Sequence, residues 1–180
     1  MRSILKLGLV MAVVLIATSA FAQKNNDWQK ELKKQLEVFG HRNWIMVVDA
    51  AYPAQSKAAI KTIATGEKQL DVVKIVLDAV EKAPHVYPEV FLDKEIDFVK
   101  ENQKPGIEKY RKDLFKMLKG KSVSKELHEE LIAKIDEAAK TFNILVLKTD
   151  LVLPYTSVFI RLDCGYWNGK QEAKMREAMK

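Results

Sequence analysis

The sequence predicts an α/β domain in which a layered sheet is flanked by helices. Three observations point there. Short apolar runs of strand length, Trp44 to Val48, Ile144 to Leu147 and Val158 to Leu162, alternate with longer segments whose apolar residues recur at helical spacing. The breaks between them fall at Gly40, Gly66, Pro84, Gly106 and Gly120, residues that end regular structure. The chain, 180 residues and 48% hydrophobic, is long enough for one sizeable core, and no internal repeat, low-complexity stretch or linker divides it.

Residues 1–22 are set aside before the fold is read. Arg2 and Lys6 precede an apolar run from Leu7 to Ala17, and Ala20-Phe21-Ala22 places small residues around a spacer. This is the pattern of a secretory signal peptide cut after Ala22, with an apolar stretch short for a membrane span. The expected mature chain holds 158 residues, with Lys+Arg reduced from 30 to 28 against 24 acids, a net charge of +4. The expected destination is a periplasm or the extracellular space, with no membrane partner after cleavage.

The first helix is expected from the caps Asn26 and Asp27, with Trp28, Leu32, Leu36 and Phe39 on one face, ending at a left-handed Gly40. Trp44 to Val48 follows as a buried strand. Asp49 stands at its carboxyl end, where open α/β sheets bind ligands, and Pro53 closes the turn. Ala58 to Ala64 is a second short strand. Leu70 to Ala83 is a helix stopped by Pro84, and Val86 to Leu92 is a strand whose Pro88 confines its first half to an edge. Glu95 to Asn102 reads as a short helix, and Ile107, Tyr110, Leu114 and Met117 mark the next one. Ser124 is the expected cap of the longest helix, with a stripe of Leu127, Leu131, Ile135, Ala138 and Phe142. Two strands joined through Leu153-Pro154-Tyr155 complete a domain spanning 23–167. Residues 168–180 form a polar, helix-favouring extension without an apolar face.

Several function classes are excluded by composition. The charge excess is mild and spread among glutamates, so no nucleic-acid footprint is present. His41, His85 and His128 lack the spacing of a metal site, and the glycines form no phosphate loop, so neither a bound metal nor nucleotide chemistry is expected. Cys164 is the only cysteine, which excludes an intrachain disulfide and leaves stability to a packed core or to oligomerisation. What remains is acid/base chemistry on His41, Asp49 and Tyr155. A histidine behind a capping glycine also often bonds only backbone carbonyls, and an aspartate at a strand end often only caps a turn.

Gly40-His41, then Asp49-Ala50-Ala51-Tyr52-Pro53-Ala54-Gln55-Ser56, and downstream Pro154-Tyr155-Thr156-Ser157, together resemble the D-ribose pyranase / L-fucose mutarotase family (RbsD/FucU). That family pairs Gly-His with an Asp-Ala-x-x-Pro and closes on a Tyr-x-Asn in a strand hairpin. The Tyr-Pro-Ala-x-Ser tail of the first motif is closer to the fucose branch. The resemblance implies an α/β fold assembled into homo-oligomeric rings, commonly decamers, that interconvert anomers or ring forms of a free monosaccharide without a cofactor. It further implies His41 as the catalytic acid/base and Asp49, Tyr155 and Ser157 as sugar-binding residues, with Ser157 in place of asparagine. It also implies a basic residue on the helix before the tyrosine. The count lands on Ala133, with Lys134 adjacent and His128 on the same helix.

One constraint comes from chain geometry. Extended chain from His41 to Asp49 covers about 26 Å at ~3.3 Å per residue, too far for both to hold one small sugar. Either the chain folds back near His41, or one subunit's histidine serves its neighbour's aspartate, which predicts an inactive monomer. Two further readings stay open: a non-catalytic exported monosaccharide-binding protein, and an exported ring-forming structural or interaction protein.

Overall fold

Trp44–Val48 is buried at all five positions, and a strand with no polar face needs cover on both sides. The computed structural model, which describes residues 27–180, supplies it. The expected signal peptide and Asn26 lie outside the described residues. Helix α1 covers 27–36 and is followed by β1, Trp44–Val48, and β2, Ile60–Ala64. Then come α2, Gln69–Glu81; β3, Val86–Asp93; a 3-10 turn, Lys94–Asp97; and α3, Ile107–Met117. The chain finishes with β4, Val123–Glu126; α4, His128–Ala138; β5, Ile144–Lys148; β6, Val158–Cys164; and α5, Gly169–Ala178.

The six strands form one sheet in the order β2-β5-β1-β6-β3-β4. β2, β5 and β1 are parallel, β3 and β4 are parallel, and β6 runs antiparallel to both β1 and β3. Five strands therefore point one way, and the start of β6 joins their carboxyl ends on one edge. Side-chain alternation divides β1 between two cores. Ile45 and Val47 pack with Trp28, Leu32, Val76 and Leu114 from α1, α2 and α3. Trp44, Met46 and Val48 pack with Leu131 and Ile135 of α4.

Pro88 sits where the sequence puts it. β4 pairs with β3 only from Val90 onward, so Pro88 faces β6 alone and the missing donor interrupts no second ladder.

Four local expectations are corrected. Gly40 is not the left-handed residue; Arg42 is, at φ 77. Its N–H donates to the Leu162 carbonyl at 2.7 Å, and its guanidinium lies 4.4 Å from the Phe142 ring centroid. Ser124 caps no helix, because Val123–Glu126 pairs with Val90–Asp93 as β4; the 11-residue α4 starts at His128 and is shorter than the 13-residue α2. The Glu95 to Asn102 helix shrinks to the 3-10 turn, since the Glu101 carboxylate accepts from the N–H groups of Gly106 and Glu108, at 2.6 and 3.1 Å, at the start of α3. β5 and β6 make no hairpin, because β1 lies between them. The polar extension is helical, and no residue of α5 is buried.

Candidate active site

The carboxyl edge of the sheet gathers the chemistry. Asp49 leaves β1 and its Oδ1 accepts the Ala51 N–H at 2.7 Å, which turns the chain sharply. Lys148 Nζ, at the end of β5, donates to the Tyr52 carbonyl at 2.7 Å and pins the same loop. Tyr52 is buried, with its hydroxyl 3.3 Å from Gln55 Oε1. Burial, assisted by the Asp136 and Asp93 charges, pushes the Tyr52 hydroxyl up to about 12, so it stays protonated and serves as a donor.

On the other side stand β3 and α4. Asp93 ends β3 with its side chain fully buried, and its Oδ1 lies 3.0 Å from His128 Nδ1. Its other oxygen, Oδ2, has no partner among the described residues. Burial pushes the Asp93 carboxyl up to about 6; the His128 hydrogen bond and charge oppose this, and Glu95 and Asp49 add to it. The Glu95 carboxylate accepts the His128 backbone N–H at 3.1 Å, satisfying an open donor at the start of α4 and fixing where the imidazole stands. The Tyr155 ring meets the imidazole edge-on, with centroids 5.7 Å apart and planes at 79°. Tyr155 has φ 56, a left-handed conformation that is costly for a side chain of this size.

These elements enclose a cleft of about 380 Å³ lined by Asp49, Tyr52, Gln55, His128, Pro154 and Tyr155 among others, a size ordinary for a small-molecule site. Two of the larger hollows show why they lack such convergence. One of about 580 Å³ lies between α1 and α2; its His85 Nε2 is already 3.0 and 3.1 Å from the Leu36 and Phe39 carbonyls. The other, about 480 Å³, lies beside Gln69 and Tyr110 on the opposite face of the sheet. There Gln69 donates to Tyr110 Oη and to the Thr156 carbonyl, and its Oε1 lies 3.0 Å from Thr149 Oγ1, so the network is closed on itself.

A family model described as the RbsD / FucU transport protein family matches residues 23–162. The chain belongs to this family. Among solved structures, Bacillus subtilis RbsD complexed with D-ribose superposes with a TM-score of 0.52 at 19% identity, covering 74% of this chain and 91% of that one. The fucose mutarotase of Streptococcus pneumoniae in complex with L-fucose gives 0.48 at 16% identity over 74% and 91%, and FucU from Bifidobacterium longum gives 0.47 at 15% over 74% and 94%. No curated protein matches. At these identities the first superposition speaks for the fold: a mixed α/β domain with its six-stranded sheet flanked by helices.

In this RbsD/FucU chain, two of the four residues singled out in the sequence come together. Asp49 and Tyr155 line the cleft. Ser157 is buried at 2% exposure and does not line it. His41 sits in an exposed turn ahead of β1, at the other end of that strand from Asp49. The five residues of β1 alone separate the two by about 16 Å at ~3.3 Å each. The chain does not fold back to bring them together. On α4, Ala133 is exposed and Lys134 bonds Glu126; the residue that meets Tyr155 is His128. The motif count overshoots it by more than a turn. Asp93 was also missed, although the rule that singled out Asp49, an acid at the end of an apolar strand, applies equally to Val90-Phe91-Leu92-Asp93.

Proposed function

We propose that this chain is an exported, cofactor-free mutarotase that interconverts anomers or ring forms of a free monosaccharide of fucose or ribose type. The observation that carries the reading is the meeting of Asp49, His128 and Tyr155 in one cleft of a RbsD/FucU chain. Opening a cyclic hemiacetal takes a proton from the anomeric hydroxyl and delivers one to the ring oxygen as the bond between C1 and that oxygen breaks. Closure on the other face reverses both transfers. An imidazole ordinarily titrates close to neutrality and serves either transfer. The Asp49 carboxylate accepts from sugar hydroxyls, and the Tyr155 ring offers an apolar face with a hydroxyl at its edge.

His41 completes the acid/base pair in this reading, supplied by a neighbouring copy in a ring. Support comes from its exposed turn and from its separation from Asp49 within one chain. Export rests on the Arg2, Lys6 and Ala20-Phe21-Ala22 pattern, and the family match begins directly after it, at residue 23. Two sugars head the substrate list. L-Fucose is favoured by the Tyr52-Pro53-Ala54 motif, and D-ribose is the sugar held by the Bacillus subtilis relative. The burial of Ser157 away from the cleft favours a second reading, a sugar-binding protein without catalysis.

The test is saturation-transfer NMR between the anomers of each sugar with the mature chain. Exchange above the water background, lost in His41→Ala and in Asp49→Asn, is expected. Co-refolding these two variants should restore part of the activity if His41 and Asp49 belong to different copies. Sugar binding with unchanged exchange would select the binding protein and overturn catalysis.

A further inference from the structure

Asp93 is a carboxylate that the proposed reaction does not use. It is fully buried, it ends β3 behind the cleft, and one of its oxygens has no partner among the described residues. A buried acid in that state destabilises the fold, and such groups concentrate at functional sites. Its one side-chain partner among the described residues is His128, at Nδ1. A carboxylate accepts only, so when ionised it holds the Nδ1 proton in place. The other ring nitrogen, Nε2, points away from that bond and has no hydrogen-bond partner among the described residues. The ring itself lines the cleft beside Tyr155.

We infer that Asp93 is a positioning residue that fixes His128 as its Nδ1–H tautomer, leaving the Nε2 lone pair in the cleft as the proton acceptor for a sugar hydroxyl. This rests on the sugar-isomerase reading for the identity of the proton donor, but not for the tautomer. Nε2 takes the anomeric proton as C1–O1 becomes a carbonyl and C1 parts from the ring oxygen. The ring oxygen takes its proton from a second acid, His41 of a neighbouring copy in the proposed assembly. Asp93 exchanges no proton with substrate. It steadies the imidazolium that forms.

The charged and titratable groups facing the pair come from every element around it: Glu95 on the 3-10 turn, Asp49 after β1, Tyr52 in the following loop, and Tyr155 ahead of β6. Burial first, with smaller contributions from the Glu95 and Asp49 charges, keeps the Asp93 carboxyl high, at about 6, against the opposing pull of His128. The ionised, tautomer-fixing form therefore prevails above that pH, and activity should rise through pH 6.

The test is a long-range nitrogen–proton correlation spectrum of the full mature chain labelled at histidine. There are three histidines, so a His128→Gln sample identifies the resonances. Wild type at pH 7.5 should show His128 as Nδ1–H. Asp93→Ala should convert it to Nε2–H, and Asp93→Asn should lose the Nδ1–H preference while keeping the side-chain shape. Anomer exchange at saturating sugar should fall about 10²-fold in both, with KM little changed. A wild-type Nε2–H tautomer overturns the inference, even if neither variant folds; so does a tautomer unmoved by both substitutions. The spectrum needs no sugar. Failed exchange with an Asp93-dependent tautomer would overturn the isomerase reading alone.

Discussion

Replacing Asp93 by asparagine should alter how stability depends on pH, by an amount the structure sets. An aspartate in an unfolded chain titrates near 3.9, and burial pushes the Asp93 carboxyl up to about 6. Between those values the folded chain binds more protons than the unfolded one, so raising the pH favours unfolding. The raised value means the ionised form is the one disfavoured by folding. The contribution is absent at pH 3, grows through pH 4 to 6, and is complete at pH 7. About two pH units at ~1.4 kcal/mol each give a destabilisation of about 3 kcal/mol. Asparagine fills the same space without a charge, so Asp93→Asn should gain about 2 kcal/mol of this on wild type between pH 4 and pH 7. Urea unfolding at unit pH intervals and one fixed protein concentration measures it. In a His128→Gln background the rise should extend to higher pH, because the hydrogen bond and charge opposing the shift are gone. Wild-type and Asp93→Asn curves that stay parallel from pH 4 to pH 8 would refute the argument.

Three further outcomes follow from the geometry. Gly165→Ala should cost about 2–3 kcal/mol in the same urea assay, because a Cβ there would lie 2.6 Å from the Pro84 carbonyl oxygen and 2.8 Å from the Val86 nitrogen, both backbone atoms. Tyr155→Asn should change stability by less than about 1 kcal/mol, since asparagine tolerates the left-handed backbone while the ring contact with His128 is lost. Its sugar affinity, read by calorimetric titration, should fall. Ending the chain after Trp167 removes a helix with no buried residue, so the unfolding midpoint should shift by less than the equivalent of about 1 kcal/mol.

Five of the six strands were legible in the sequence, β2 and β3 among them, and most plainly those with no polar face. β1, β5 and the start of β6 carry uninterrupted apolar runs, which fit only the middle of a covered sheet. β4 was illegible for the opposite reason. Val-Ser-Lys-Glu at an exposed edge has no alternation to read, and its existence depends on Val90–Asp93 offering a ladder. Losing β4 misplaced the start of α4; the residue that faces Tyr155 was missed separately, because the motif count from the tyrosine lands on Ala133. Asp49 was visible because a strand, a turn and a proline lie beside it in the sequence. The groups that act on Asp93 from outside its own strand and turn are His128 of α4 and Asp49 after β1, neither of them a sequence neighbour.

The strand order decides when the sheet can close. β6 is the last of the six to be synthesised, yet it alone bridges β1 and β3. Until Val158–Cys164 is available, the nascent chain holds two half-sheets with open inner edges, and their joining needs contacts between distant parts of the sequence. A translation product stopped short of Val158 should therefore be prone to proteolysis and to pairing with other chains. For a polypeptide threaded through a translocon before it folds, that order delays closure until nearly all of the chain is across.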